Sequence, residues 1–429
     1  MRLISVRSSL ILAATFFSWY PLEAQVTSTR EIDVYSRYGI GQILGGTSIA
    51  QRASGYASAA VSLPFSLNSD NPASYAALRL TTYEGAVTGS QRNVIGLTRN
   101  YKTGTATLSY LRVGFPIAKR AGIVLGLQPE SRVYYRMQDT SRSAGFGRSV
   151  NEYEGSGGLN YAFLGAGIEI KGFRLGANLG YMFGNLYSTS SRQFIDADSV
   201  KAFGSEFAQY TRIGGLYTKL GAQYETPLGS KIGLRLGATA ALQQSVKGTR
   251  DQTSTSIRNI SGGGVIGDTA IKNLGQSGDL TLPLSYTIGA QVFGGTQWAL
   301  NADLTTAQWQ NFRNFGVSDS VAPSAYRIAL GGEYTPNATN TFKYFQRVTY
   351  RLGFYYGLDP VRLRNTDINY LAVTAGASLP FKRTSDRIHT ALEIGTRGTK
   401  SNGLVKENFV RFSVGISLND RWFVKRRYD

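Results

Sequence analysis

The chain has 429 residues, among them 50 Gly, 26 Tyr and 21 Phe but no Cys, and a formal net charge of +19. Its length suits two average domains or one large barrel. A slightly polar overall hydropathy excludes a bundle of membrane helices; the missing Cys excludes a disulfide framework and a lipid-anchored N-terminus, no His/Cys cluster exists to hold a metal, and no motif calls for a cofactor.

Residues 1–24 read as a signal peptide. Arg2 and Arg7 form its basic end, Leu10 to Phe17 its apolar core, and Leu22-Glu23-Ala24 a cleavage site. The run is short for an anchor helix, which needs about 20 apolar residues. Export without cysteines fits a Gram-negative envelope protein, and the expected location is the cell outer membrane. The Lys and Arg residues are dispersed, with no basic helix or RNP-like motif, so no nucleic-acid partner is expected. Outer-membrane lipid and anionic lipopolysaccharide are the expected neighbours, through Coulomb attraction. An ordinary solvated surface would carry the same charge.

Residues 25–79 show no strand periodicity. They hold Tyr35-Ser-Arg-Tyr-Gly-Ile-Gly, a small-residue stretch from Gly45 to Ser62, and Asn71-Pro72-Ala73. A structureless segment of this length is usually functional or disordered. Its small residues permit close packing in a lumen, so it is expected to be a hatch folded into a barrel from the periplasmic side. A disordered tail is the alternative, and its aromatics argue against that.

From Leu80 about fourteen strands follow, at 80–91, 105–116, 121–138, 153–170, 173–189, 206–225, 231–246, 280–294, 296–310, 323–335, 345–357, 367–380, 387–397 and 405–418. Period-two rows are explicit in several: Phe173, Leu175, Ala177, Leu179, Tyr181, Phe183; Ile232 to Leu242; Leu371 to Leu379. Those rows should meet lipid, and the residues between them should face a lumen. Connections alternate between short turns, such as Lys171-Gly172, and long polar loops at 138–151, 187–204 and 247–279. A soluble sandwich has no reason to sort its loops by parity, whereas an outer-membrane barrel does. Val410 to Leu418 alternates without a slip, and its free edge should pair with the first strand near 80–91 to close the cylinder. The expected fold is all-β: an antiparallel transmembrane β-barrel over 80–418 with an N-terminal plug, and a periplasmic tail at 419–429. Tyr134, Tyr135, Tyr355, Tyr356, Trp422 and Phe423 suit interfacial girdles. Trp298 and Trp309 bracket one strand with opposite parity, so one faces inward or a bulge intervenes.

An Arg-x-Gly unit recurs on the inward face at Arg112, Arg174, Arg235 and Arg351, and Arg327 and Arg411 share that face. Glu169, Glu225, Glu333 and Glu393 face the same way. Around the Lys171-Gly172 turn, Glu169 opposes Arg174, which predicts a cross-strand ion pair. The set reads as a salt-bridged wall against the plug or as surplus Arg guiding a ligand carboxylate. Pro129 interrupts the third strand; without an N–H it demands a bulge, an edge or a kink, unless this stretch is a loop. His389 is the sole histidine and has no positioned nucleophile, so no enzyme is expected. Gly39-Ile40-Gly41 follows no strand and is no phosphate loop.

A plug ending in Asn71-Pro72-Ala73, then about fourteen strands with a proline-broken third strand, resembles the FadL/TodX outer-membrane transport family. The tail from Asn419 to Asp429 looks like that of its Bacteroidetes members, a branch related to PorV-type barrels. The resemblance implies that Asn71, Pro72 and Ala73 lie in a lumenal hatch. It also implies a lateral opening near Pro129 and passive uptake of a hydrophobic, fatty-acid-like ligand. Its PorV side implies the alternative: a non-transporting barrel subunit or scaffold among envelope protein partners, in secretion or assembly machinery.

Overall fold

The computed structural model describes residues 32–96, 99–143, 147–195, 203–260, 263–340 and 342–421. The signal peptide, the first residues of the hatch span, and Trp422 and Phe423 lie outside them. One antiparallel sheet organises the chain. Its strands are β1 (Gln42–Ile43), β2 (Thr81–Ile95), β3 (Asn100–Ala118), β4 (Ala121–Ser143), β5 (Gly147–Ile170), β6 (Phe173–Phe194), β7 (Gly204–Pro227), β8 (Gly233–Ala241) and β9 (Gln244–Ile260). There follow β10 (Gly263–Leu282), β11 (Ser285–Gly294), β12 (Trp298–Ala307), β13 (Arg313–Asn314), β14 (Ala325–Tyr334), β15 (Thr349–Leu363), β16 (Thr366–Pro380), β17 (Arg387–Gly398) and β18 (Lys406–Asp420). β8 and β9 form one wall strand, as do β10 and β11. With β1 and β13 set aside, the wall is fourteen-stranded.

β18 pairs with β2 from Lys406↔Ile95 to Asp420↔Thr81 and closes the barrel. The eighth wall strand breaks at Pro283, which has no N–H for the ladder. The seventh breaks beside it at 242–243. There the Gln244 side chain takes over the ladder's work: its Oε1 accepts from Thr218 N at 2.7 Å and its Nε2 donates to Thr218 O at 3.1 Å.

Parity holds where the rows were written out. Phe173, Leu175, Leu179 and Tyr181 are exposed, as are Ile232, Leu236, Leu242, Leu371 and Val373, while Asn178, Arg235, Ala372, Thr374 and Ser378 between them are buried. A continuous outward apolar belt of this kind is the lipid face of a membrane-spanning barrel.

Four expectations need correction. The stretches 138–151, 187–204 and 247–279 were expected as loops, but most of their residues continue the strands, the last as the β9–β10 hairpin. Above the apolar belt both faces of a strand are polar, so alternation vanishes while the backbone ladder runs on. The strand expected from 345 begins at Thr349, after a short helix at Tyr344–Arg347. Tyr135 and Tyr355 are buried rather than girdle residues, because consecutive strand residues point to opposite faces. The tryptophan conflict dissolves because β12 stops at Ala307; Trp309 begins a single 3-10 turn and is buried.

The segment 32–80 runs inside this wall. It begins near the upper rim, where β2, β4 and β17 end, and descends to the lower rim, where β2 starts. Ser48 starts its helix Ile49–Ala53 with a capping box to Gln51, so the buried helix brings its own N-terminal partners. Asn71 caps the 3-10 turn Pro72–Ala77, with Pro72 in the first position, where a missing N–H costs nothing.

Candidate functional site

The wall is incomplete in one place. The β3–β4 ladder rises from Ala118↔Ala121 to Leu111↔Leu127 and stops. Above it β3 stays with β2, and β4 stays with β5 as far as Ser143↔Gly147. Pro129 cannot donate towards β3, and Glu130 is an extra residue between Pro129↔Asn160 and Ser131↔Leu159. Such a bulge bends its strand and re-aims its edge. Just above it on β5, Gly157, the partner of Val133, has φ +118°, and a Cβ there would stand 2.1 Å from Asn185 O.

The inner segment fills the resulting seam from the β4 side. Asp33 N donates to Tyr134 O at 2.9 Å, and Tyr134 N to Ser36 Oγ at 3.1 Å. Gln42 and Ile43 pair with Arg132 and Ser131, and Leu44 N donates to Glu130 O at 2.9 Å. Towards β3, Ile32 N reaches the side-chain Oγ1 of Thr103 at 3.0 Å. Among the described residues no ladder joins the segment to β3. A second seam, between β10 and β15, is stitched along both edges by residues 308–324. Leu280 pairs with Asn314 and Phe315 N donates to Asp279 O at 2.9 Å, while Ala322 N donates to Pro360 O at 2.7 Å and Arg362 N to Ser320 O at 3.1 Å. Among the described residues, backbone pairing therefore closes the β3–β4 seam on the β4 side alone, and side-chain bonds such as that to Thr103 hold the β3 side.

Charge fixes the top of the segment. The Asp33 carboxylate meets Arg397 at 2.8 Å and Arg92 at 3.1 Å; Arg92 also meets Glu407 at 2.5 Å, and Arg397 meets Asp359 at 2.9 Å. Burial alone would raise the Asp33 pKa, but Arg397 and Arg92 bring it down to about 2. Arg92 and Arg397 escaped the sequence reading because they lie at strand ends, outside the apolar alternation. Deeper in, Tyr56 and Tyr355 donate to Glu393 at 2.8 and 2.6 Å, and Ser58 N and Ala59 N donate to Asp303 at 2.7 and 2.8 Å.

At the bottom, Asn71, Pro72 and Ala73 are wholly buried. Asn71 Nδ2 donates to Ala59 O at 2.6 Å and to Ala222 O of the wall at 3.2 Å, and Asn71 Oδ1 accepts from Ala73 N at 3.1 Å. Wall glycines make room. A Cβ on Gly176 would lie 2.4 Å from Pro72 C, one on Gly221 2.1 Å from Asn71 Oδ1, and one on Gly237 2.0 Å from Ala59 O. Wall backbone meets plug backbone at Gly176 and Gly237, and meets the Asn71 side chain and Pro72 ring at Gly221.

The inward arginines are spread around the wall; Arg327 lies 5.4 Å over the Tyr56 ring at the cavity, and the others bond to the wall or the plug. Arg112 donates to Gly46 O and to Gln128 Oε1 at 3.0 Å, and lies 4.0 Å over the Tyr110 ring. Arg174 pairs with Glu169 at 2.7 Å, the contact expected across the turn, and with Glu225 at 3.0 Å. Arg235 meets Glu225 at 2.8 Å and donates to Gln291 Oε1 at 2.6 Å. Arg351 pairs with Glu333 at 2.9 Å, and Arg411 with Glu393. His389 is buried in the wall between Ser378 Oγ at 2.6 Å and Ser417 Oγ at 3.0 Å.

A cavity of about 390 Å³ remains in the upper lumen. It reaches the one-sided seam at Ile43, Thr107, Leu108 and Pro129, and runs across to Leu282, Trp309 and Arg327. Lys219 projects into it towards Glu130 of the bulge, 3.4 Å away. The lining mixes apolar surface with fixed charges, a combination suited to an amphiphile.

Closed wall, outward apolar belt and internal segment together define a transmembrane β-barrel of the FadL/TodX architecture. The toluene transporter TodX of Pseudomonas putida superposes with a TM-score of 0.58 at 16% identity, over 89% of this chain and 99% of that one. The toluene transporter TbuX of Ralstonia pickettii gives 0.54 at 14%, over 88% and 99%, and a FadL homologue of Pseudomonas aeruginosa 0.55 at 12%, over 88% and 99%. At such identities the likeness is one of fold. Among curated proteins none matches in sequence. The chain belongs to the BamG family, whose family model matches residues 6–429.

Proposed function

We propose that this barrel lies in the outer membrane with its lower rim in the periplasm, and passively admits hydrophobic, fatty-acid-like small molecules. The observation that carries this reading is the cavity that ends at a seam with backbone pairing, among the described residues, along one edge alone. The segment 32–45 acts as the gate of the seam, and 66–78, with Asn71, Pro72 and Ala73, as the base of the hatch. A compound entering from above would be drawn in by apolar burial, at roughly 25 cal/mol per Å². It would leave sideways between β3 and β4 once the gate swings off β4. TodX and TbuX are described as toluene transporters, which supports uptake as the shared use of this architecture.

The test exploits a chain with no Cys. Ile43 and Ser131 are direct antiparallel partners, so their Cα atoms stand about 4.5–5.5 Å apart, within disulfide reach. Ile43→Cys/Ser131→Cys in liposomes is expected to block labelled fatty-acid uptake when oxidised and restore it when reduced. Equal uptake in both states, or none above empty liposomes, removes the proposal.

A second reading, a fixed barrel subunit of an envelope assembly or secretion complex, is favoured by the backbone-tight packing at Gly176, Gly221 and Gly237. A plug seated that closely needs no exit to be useful. Co-purification of stoichiometric partners from mild detergent, with no uptake, would establish it in place of the first.

A further inference from the structure

The connection between β14 and β15, residues 335–348, is a built surface whose two phenylalanines are largely exposed. The other lower-rim connections span two to six residues; this one spans fourteen and carries the short helix Tyr344–Arg347. Phe342 is 95% exposed and Phe345 74%, the highest values among the exposed large hydrophobics. Neither is a loose end. Asn337 N donates to Gln346 O at 2.7 Å, and Asn340 Oδ1 accepts from Phe342 N and Lys343 N, each at 2.9 Å. The loop thus holds its two phenyl groups out at a cost in exposed apolar area.

Position says what covers them. Tyr334 and Tyr350 are direct cross-strand partners at the lower end of the lipid-facing belt, 55% and 42% exposed. The Tyr350 hydroxyl donates to Phe345 O at 3.2 Å, so the loop sits against the lower edge of that belt. Leu352, the two tyrosines and the two phenyl groups are all exposed. Charge agrees: residues 335–348 contain Lys343 and Arg347 and no acid. Arg347 lies 5.4 Å over the Tyr344 ring, which keeps its cation beside the aromatic patch. Aromatics flanked by Lys and Arg are the composition that settles at a headgroup boundary.

We infer that residues 335–348 form a membrane anchor: Phe342 and Phe345 enter the leaflet at the lower rim, and Lys343 and Arg347 take the phosphates of anionic phospholipid. The inference borrows from the proposed function only the periplasmic name of that leaflet and is independent of uptake. It would fix the depth and tilt of the barrel on the side away from the β3–β4 seam.

Phe345→Trp is reconstituted as the full chain in vesicles of phosphatidylcholine and phosphatidylglycerol bearing brominated acyl chains, and the wild-type emission is subtracted. The added tryptophan is expected to be quenched about two-fold or more by the bromines and to be shielded from aqueous iodide, as for a side chain at interfacial depth. In the same background Lys343→Glu/Arg347→Glu should reduce that quenching, more so with phosphatidylglycerol than with phosphatidylcholine alone. Quenching by iodide with none by bromine overturns the anchor and leaves a solvated loop. Shielding from both overturns it in favour of a protein contact. Lys343 and Phe345 are exposed and Arg347 is half-buried, and closure of the barrel is read independently by its heat-modifiable electrophoretic mobility.

Discussion

Replacing Asp33 by Ala should release the gate while leaving the base of the hatch in place. The Asp33 carboxylate is almost fully buried and makes two kinds of contact. One oxygen faces Arg397 at 2.8 Å and Arg92 at 3.1 Å. The other accepts from Tyr35 N at 3.0 Å and Ser36 N at 3.1 Å, capping the turn Val34–Arg37. Breaking a buried pair by removing one partner typically costs about 3–5 kcal/mol. Here Arg92 keeps Glu407 and Arg397 keeps Asp359, which argues for the lower end, roughly 3 kcal/mol with the lost cap included. At 1.4 kcal/mol per decade, the open population of 32–45 should rise about 100-fold. Hydrogen exchange by mass spectrometry in nanodiscs reads this directly, because the amides of Asp33, Leu44 and Gly45 donate to β4. Peptides covering 66–78 should stay protected, and Asp33→Asn, which keeps an acceptor for the cap, should fall between the two. If exchange over 32–45 changes by less than about threefold, or 66–78 opens in step with it, the seam is not gated by this charge cluster.

The same carboxyl sets a pH window. Its folded pKa is depressed to about 2, against about 3.9 when unfolded, so its contribution is complete above about pH 4 and lost as pH falls towards 2; exchange over 32–45 should accelerate across that interval. Gly237→Val would push a side chain into Ala59 O, and overpacking of this kind costs about 1–3 kcal/mol; the Ser58 and Ala59 amides should lose protection, whereas Gly229→Ala, with open space around it, should change nothing. Gln244→Ala removes the side chain that replaces a ladder pair at Thr218, worth about 1 kcal/mol; faster exchange confined to the Thr218 amide is expected, and unchanged protection there would mean the ladder closes without it.

The sequence reached the barrel because lipid enforces a rule at every second residue. Phe173 to Phe183, Ile232 to Leu242 and Leu371 to Leu379 declare their face wherever one side meets hydrocarbon. The Glu169–Arg174 pair followed from a two-residue turn, and the broken third strand from a proline without an N–H. Where both faces are polar the rule is silent, and 247–279 read as a loop although its backbone bonds continue as β9 and β10. Pro283 went unremarked for a related reason: Gln244 repairs the ladder beside it, and a side chain's use of a distant backbone leaves no local periodicity.

What the tertiary structure alone decided is how the interior is used. Asp33, Arg92, Arg397 and Glu407 are far apart in the chain, and no local pattern joins them; they meet because a closed wall brings its strand ends to one rim. The same holds for the seam. Its proline is written in the chain, but that residues 32–45 form backbone bonds along β4 and meet β3 at the Thr103 side chain depends on where the ladder stops. Short-range periodicity is set by which neighbour faces lipid, whereas a seam or a charge cluster is set by closure.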